Sequence, residues 1–451
     1  MRHLLCAVLA LTLAWTASAA TRNNDDSCDI GVAPAATLLL PYFEVDLDDP
    51  FGETTIFTIT NVTNVDRIAR VTLWTDYAFP VVTFNLYLTG YAVQSINLDD
   101  VIRRGVFASD EGTGTSGTRR GEWSHRNRAV DTSACGRLAG RLSAADVERM
   151  QSAFRDGVLS DAGDLQGCSS IGHEHDNAIG YATIDVVRNC ESNTPFSDEY
   201  WTEDLAWDNV LIGDYQQVDP SNGSATGAPL VHIRAIPEGG SSAERLARPR
   251  KYDAGFPRTF YSRYQTAATP RLDGRQPLPS VFAARWRRIG GWSSLETTTL
   301  KIWREGRPGR TVSCLSFSLW YANKTGANFA EAVVFDEAEN AVAGFPSGLV
   351  GNLHPHVFEL PPASRIAVSD SVFFPQLTNG AVGGWMYLNL DLGTLDTPLS
   401  SSNWVISSFR TVDGSFDIDA AALGNGCSAE VPDSEVSYGS HVIGPLPNVN
   451  P

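Results

Sequence analysis

Two histidines in the segment GHEHDNAIGYATIDVV, residues 172 to 187, have the spacing of metal ligands. On an extended chain, His173 and His175 point to the same face at roughly 6.5 to 7 Å from each other, which is close enough to share one ion. Zinc accepts imidazole nitrogen but needs further protein ligands, and Asp176 faces the opposite side. The sequence favours a solvated loop here, and the alternative is a zinc site completed by a residue from elsewhere.

A second candidate metal site lies in the acidic run of residues 44 to 49. Glu44, Asp46 and Asp48 alternate, so on a strand they share one face, and hard oxygen ligands of this kind bind calcium. An exposed acidic strand face is the favoured interpretation in a chain rich in carboxylates, and the calcium site is the alternative. The run DEAEN at 336 to 340 allows the same two interpretations.

Two tryptophans are candidates for ligand contact. Trp201 and Trp207 belong to the segment FSDEYWTEDLAWDN, which lacks the alternation of a strand, and they are predicted to form an exposed aromatic surface. No Gly-x-Ser-x-Gly motif indicates a nucleophilic serine, and no catalytic residue can be named. The motifs therefore favour a protein without enzymatic activity.

Composition and the first residues limit where the protein acts. A net charge of −18 argues against nucleic acid as a partner, because phosphate binding requires a basic surface. Residues 1 to 20 have the polar start, apolar core and small-residue cleavage site of a secretory signal. No later segment is apolar for long enough to cross a bilayer. The mature chain is predicted to be exported to the periplasm or the extracellular space.

Cysteine usage agrees with an oxidising compartment. Removal of the signal leaves six cysteines, which are predicted to form structural disulfides. A domain boundary after the fourth of them forces the pair Cys314–Cys427 and leaves three pairings open for the others. Of these three, the favoured one joins Cys28 to Cys190 and Cys135 to Cys168.

Strand signals predict an all-β protein. In the first half, β-branched and aromatic segments follow one another closely, and they predict the strands 37–45, 55–62, 69–77, 81–88 and 93–98. Such spacing is typical of an antiparallel sandwich.

The predicted organisation is a domain at 21–240 with an insertion at 103–178, a linker at 241–257, a second domain at 258–430 and a flexible tail at 431–451. Within the insertion, Ser143 is predicted to cap a short amphipathic helix that ends at Gly157.

Three segments of the first half recur in the same order in the second. Residues 209–219 align without a gap on 403–413, GYATIDVV at 180 matches GWMYLNLD at 384, and VTLWTD at 71 matches LKIWRE at 300. The last match places Trp74 and Trp303 in equivalent positions, which indicates a core role for both. A second His-x-His pair, His354 and His356, stands at a different position in its half. The matches predict two related β domains in tandem.

The segments TLLLPYFEV, TNVTNVDRIARVTLW and LYLTGYAVQSINL resemble secreted bacterial immunoglobulin-like sandwich modules. GYATIDVV, DNVLIGDY and FDEAEN are similar to segments of an uncharacterised family of exported bacterial proteins, and this resemblance implies no activity and no functional residues.

The sequence predicts a non-enzymatic binding, adhesion or envelope-associated protein whose partner is a cell-envelope or extracellular polymer or protein. The alternative is a secreted hydrolase or metal-dependent enzyme with a site near the insertion and residues 172 to 208.

Overall fold

The described part of the chain is built mostly of antiparallel β-sheets, so the predicted all-β class is confirmed. The computed structural model describes residues 33–107, 123–125, 142–158, 171–189, 199–235, 275, 278–279, 281–288, 298–304, 329–340, 356–359, 363–368, 381–390, 402–411 and 414–423. The predicted signal segment, all six predicted disulfide cysteines, the predicted linker 241–257 and the predicted tail 431–451 lie outside these residues. No helix within the described ranges is long and apolar enough to cross a membrane.

The described residues of the first half form ten strands: Thr37–Val45 (β1), Thr54–Asn61 (β2), Arg67–Thr75 (β3), Pro80–Leu88 (β4), Val93–Asn97 (β5), Trp123–His125 (β6), Ala178–Val187 (β7), Leu211–Asp219 (β8), Ser224–Pro229 (β9) and Val231–Ile233 (β10). One sheet has the order β10-β1-β7-β3-β4-β6 and the other the order β5-β2-β8-β9. The five strands predicted from the sequence are β1 to β5, each within two residues at either end.

Nine strands lie within the described ranges of the second half: Val281–Arg287 (β11), Thr298–Arg304 (β12), Phe329–Asp336 (β13), His356–Glu359 (β14), Ala363–Ala367 (β15), Gly383–Asn389 (β16), Asn403–Thr411 (β17), Gly414–Asp419 (β18) and Ala421–Leu423 (β19). They form one sheet of order β14-β13-β16-β11-β19 and one of order β15-β12-β17-β18.

The two halves share one strand order. Read from the other edge, the five-stranded sheet is β19-β11-β16-β13-β14, which repeats β10-β1-β7-β3-β4, and β15-β12-β17-β18 repeats β5-β2-β8-β9. The pairing agrees in detail, because Gly180 lies opposite Thr75 and Gly384 lies opposite Asp336. Two of the three sequence matches, β7 with β16 and β8 with β17, therefore lie on strands that occupy the same place in their sheets.

The third match is wrong. Trp74 lies on β3, whose counterpart is β13, whereas Trp303 lies on β12, whose counterpart is β2. The residue that takes the place of Trp74 is Phe335. Each of these two rings stacks on the residue that follows the paired glycine, Trp74 on Tyr181 at 5.9 Å and Phe335 on Trp385 at 4.3 Å between centroids. A short aliphatic-Trp-acid pattern fits many buried strands, so it did not fix the register.

An insertion separates β5 from β7. It includes the π-helical turn Asp99–Arg103, β6 and one α-helix, Ala144–Arg155 (α1), whereas only residues 368 to 382 separate β15 from β16. The predicted cap is confirmed, because Ser143 Oγ accepts a hydrogen bond from the Asp146 amide at 3.2 Å. The buried face of α1 carries Phe154, whose ring meets that of Phe43 on β1 at 5.4 Å. Gly157, with φ of 65°, follows the helix.

The two halves are in direct contact. Buried apolar residues of both halves belong to one continuous core, and the rings of Tyr181 and Trp303 meet at 5.8 Å. At the same boundary Arg365 Nη1 lies 2.6 Å from Glu44 Oε2. Strand β15 thus approaches the first sheet beside β1 and the turn that follows β3.

Candidate metal site at Asp76, His173 and His175

Asp76 is positioned by a tight turn between β3 and β4. The Thr75 amide donates to the Phe79 carbonyl at 2.9 Å, and the Ala78 amide donates to the Thr75 carbonyl at 2.8 Å. Ala78 takes a left-handed conformation with φ of 61°. The Thr75 hydroxyl also donates to the Ile171 carbonyl at 2.5 Å, which ties the turn to the end of the insertion. The carboxylate of Asp76 therefore faces residues 171 to 175.

The histidine segment is held by the end of α1. The Ile171 amide donates to the Gly157 carbonyl at 2.8 Å, and the His175 amide donates to the Arg155 carbonyl at 2.7 Å. Gly172 passes so close to the carboxylate that a Cβ atom would lie 2.6 Å from Asp76 Oδ1. Glycine at this position allows the backbone to approach the carboxylate.

The two imidazoles converge on one oxygen atom. His173 Nδ1 lies 2.9 Å from Asp76 Oδ2, and His175 Nε2 lies 3.2 Å from the same atom. The His173 amide also donates to Asp76 Oδ1 at 3.2 Å. One donor atom from each residue lies within 4.8 Å of the others, and this is the only such group among the described residues. The sequence expectation that His173 and His175 face the same side is confirmed, with 5.9 Å between ring centroids.

The carboxylate is buried, whereas the imidazoles reach the surface. The side chain of Asp76 is 2% exposed, while those of His173 and His175 are 36% and 23% exposed. Of the described residues, only these two histidines bring Asp76 a group that can carry positive charge. A buried carboxylate requires compensation, which a protonated imidazole or a bound cation would supply. The ring of Tyr77 packs edge-on against His173 at 4.6 Å and covers one side of the site.

Asp76 is the candidate ligand that the sequence did not identify. It is 97 residues from His173 in the chain, so no local spacing rule connects the two. The only signal was its place as the acid in the pattern VTLWTD. Asp176 takes no part in the cluster. His354 of the second His-x-His pair lies outside the described residues.

The candidate calcium cluster of Glu44, Asp46 and Asp48 does not form. Strand β1 ends at Val45, so the alternation that would align Glu44 with Asp46 and Asp48 stops there. Glu44 is buried and accepts hydrogen bonds from Tyr42 and Asn177, both at 2.8 Å, in addition to its ion pair with Arg365. Asp46 accepts hydrogen bonds from the amides of Asp48 and Asp49 at 2.9 Å. The carboxylates of Glu44 and Asp46 therefore serve separate local structures.

Trp201 and Trp207 are buried, so the predicted exposed aromatic surface is wrong. Their rings lie 5.4 and 5.7 Å from the guanidinium carbon of Arg275. Arg275 is itself buried and forms an ion pair with Asp185 at 3.0 Å. Cation–π contacts and an ion pair in the interior explain why these aromatic residues occur in a segment without strand alternation.

The acidic run 336 to 340 forms the turn after β13. Asp336 Oδ1 accepts hydrogen bonds from the amides of Ala338 and Asn340, both at 2.8 Å. The bonds donated by Asn340 are the main reason that the pKa of Asp336 lies below its usual value. These donors occupy the carboxylate, so the run is a structural turn.

No family model matches this chain, and a search of curated proteins finds no significant match.

Proposed function

We propose that the chain binds a divalent transition metal, with zinc preferred, through Asp76, His173 and His175. The observation that supports this most directly is the convergence of two imidazole nitrogens on one buried carboxylate oxygen, at 2.9 and 3.2 Å. Two nitrogens and one carboxylate oxygen form a donor set that suits zinc and other first-row metals, and it does not suit calcium or magnesium.

Two of the three spacings between donor atoms fit a zinc ion. Bonds of about 2.0 to 2.2 Å in tetrahedral geometry place neighbouring ligand atoms about 3.3 Å apart. The two nitrogen–oxygen distances are close to that value, so a metal could replace the hydrogen bonds with small side-chain movements. The hydrogen bond from the His173 amide to Asp76 would hold the carboxylate in place.

The role we propose for this metal is structural, within an exported, non-enzymatic binding or envelope-associated protein. The site joins the insertion to the turn after β3, and a metal there would hold the insertion on the sheet. Two immunoglobulin-like sandwich domains in tandem are part of this proposal. Support comes from the strand order that both halves share and from the equivalent glycines at 180 and 384. Export is supported by the signal-like residues 1 to 20.

A metal-dependent hydrolase is the second candidate. Three protein ligands leave a coordination position for water, as catalytic zinc sites do. The partial exposure of both imidazoles would let a substrate approach that position. Turnover of ester, amide or phosphoester model substrates by the zinc-loaded protein, lost in His173→Ala, would assign this activity and overturn the structural role.

Metal binding is tested by titrating the mature, metal-free protein with zinc in competition with a chromogenic chelator. We expect one equivalent to bind. Loss of one ligand in His173→Ala or His175→Ala should weaken binding by at least about 100-fold, more than loss of an outer-shell partner. The matched control is His354→Ala/His356→Ala, which removes the other His-x-His pair and should leave the affinity unchanged. Absence of binding, or equal affinities in all variants, would contradict the proposal.

A further inference from the structure

A lysine and an aspartate in the second half are in direct contact in the interior. Lys301 Nζ lies 2.9 Å from Asp417 Oδ2, and the two side chains are 5% and 0% exposed. Lys301 is on β12 and Asp417 is on β18, and both strands pair with β17, one on each side. The lysine side chain therefore reaches across β17, and the contact joins residues that are 116 positions apart in the chain.

Hydroxyl groups fix the aspartate. Ser408 on β17 donates to Asp417 Oδ1, and Tyr215 of the first half donates to Asp417 Oδ2 at 3.1 Å. These bonds orient the carboxyl group with one oxygen beside the lysine nitrogen. They also place a hydrogen-bond donor at each oxygen, where negative charge would develop if the carboxyl carbon were attacked.

Burial makes the ammonium form of Lys301 less stable than it is in water. Burial lowers the pKa of Lys301, because the charged ammonium loses its hydration, while the charge of Asp417 opposes this effect. Transfer of one proton from the ammonium to the carboxylate converts the buried ion pair into a neutral amine beside a carboxylic acid. This neutral pair avoids the cost of keeping two charges out of water. A neutral amine is also the nucleophilic form of lysine.

We propose that Lys301 and Asp417 form an intramolecular amide crosslink. In the reaction, Nζ attacks Cγ of Asp417, the Nζ–Cγ bond forms and one Cγ–O bond breaks. The departing oxygen leaves as water with two of the three ammonium protons, and the third proton stays on the amide nitrogen. Charge and electrons balance without an oxidant, a reductant or a cofactor. Tyr215 and Ser408 act as positioning residues that donate hydrogen bonds to the carboxyl oxygens during the attack.

The first half has no counterpart of this pair. The strand alignment places Thr60 on β2 where Lys301 stands on β12, and Pro229 on β9 where Asp417 stands on β18. These residues cannot form an amide with each other through their side chains. The crosslink would therefore be specific to the second half, and it would join β12 to β18 independently of any metal.

Mass spectrometry of the reduced, denatured mature protein tests the crosslink. We expect a mass lower by one water molecule than the sequence requires, with the N-terminus fixed by peptide mapping. Trypsin should fail to cleave after Lys301, and a branched peptide should join the segments that contain residues 301 and 417. Lys301→Arg and Asp417→Ala should each have the full calculated mass. The control Lys324→Arg should keep the mass deficit of one water.

The mass and the tryptic peptides of the wild-type protein test the crosslink even if a variant fails to fold. Quantitative recovery of a linear peptide ending at Lys301, together with an intact mass that lacks the deficit, would overturn the proposal and leave the pair as a buried ion pair.

Discussion

The turns after β3 and β13 have the same backbone and different surroundings. Each turn begins at the last residue of its strand, Thr75 or Asp336, whose backbone amide and carbonyl both form hydrogen bonds across the turn. The fourth residue counted from there has a left-handed conformation, with φ of 61° at Ala78 and 64° at Glu339. The second turn residue is an acid in both. Asp76 is buried against two imidazoles, whereas Glu337 is 58% exposed and pairs with Arg285 at 2.8 Å.

The insertion explains this difference. It places residues 171 to 175 over the turn after β3, and the described residues include no such cover over the turn after β13. One turn geometry thus supports a candidate metal site in one half and a surface ion pair in the other. The chemistry depends on the segment that covers the turn, in agreement with the general finding that function belongs to sites and not to folds.

The sharpest test replaces the two equivalent acids. Asp76→Ala should weaken zinc binding by more than about 100-fold, because it removes a direct ligand. Glu337→Ala should not change zinc binding, because Glu337 interacts with Arg285 at the surface. Chelator competition measures both affinities, and circular dichroism checks that Asp76→Ala is folded. Equal affinities in the two variants would break the comparison.

The glycines beside the two turns should respond alike in stability. A Cβ atom at Gly180 would overlap the carbonyl oxygen of Trp74, and one at Gly384 would overlap that of Phe335. Since a backbone atom cannot move aside cheaply, each change to alanine should lower the free energy of unfolding by about 1 to 3 kcal/mol. Urea denaturation measures this effect.

Only Gly180→Ala should also affect zinc, because Trp74 is two residues before Asp76. A displacement of the carboxylate should weaken binding by about tenfold, as changes to the support of metal ligands do. Gly384→Ala serves as the matched control with unchanged affinity. Equal zinc affinities in the two variants would contradict this expectation. They would show that the turn after β3 accommodates the added methyl group without moving Asp76.

The stability of the folded protein should depend on pH through Glu53, which lies at the boundary between the two halves. Glu53 lies 3.7 Å from Arg365, and burial together with the charge of Glu44 raises the pKa of Glu53 to about 7. In the unfolded chain the group ionises near 4.5. Between these values the folded protein binds more protons, so stability should fall as pH rises, by about 1 to 3 kcal/mol.

Glu53→Gln removes this titration. The variant should therefore lose less stability than the wild type between pH 4.5 and pH 8, as measured by urea denaturation at both values. A wild-type stability that rises over this range, with no difference in slope from Glu53→Gln, would show that Glu53 is ionised throughout.

The smallest expected effect concerns the left-handed residues. Glu339→Gly should raise the free energy of unfolding by about 0.5 kcal/mol, since glycine adopts positive φ without strain but gains freedom in the unfolded chain. Ala78→Gly should show no gain, because Ala78 is buried and loses packing of its methyl group. Thermal unfolding of both variants measures the difference, and a larger gain for Ala78→Gly would argue against this account.

The sequence predicted the parts of the fold that depend on residues close together in the chain. Strands β1 to β5 follow from β-branched and aromatic runs, and Ser143 identifies the start of α1. The facing pair His173 and His175 follows from the period of an extended chain. Asp76 could not be predicted, because its contact with the histidines depends on where a long insertion returns to the sheet.

The wrong predictions share a physical cause. Trp201 and Trp207 lack strand alternation, yet they pack around Arg275, a residue far away in the sequence. Glu44 is held by Arg365 from the other half. Sequence patterns report local geometry, whereas the burial of polar and aromatic groups depends on partners that only the folded chain brings together.

The hydrogen bond between Ile171 and Gly157 has an evolutionary consequence. It fixes the two ends of the segment between α1 and the histidines, and His175 is fixed separately to Arg155. Relatives of this protein could therefore lengthen, shorten or replace residues 159 to 170 while His173 and His175 keep their positions. Length changes between these anchored ends would leave the three candidate donors in place.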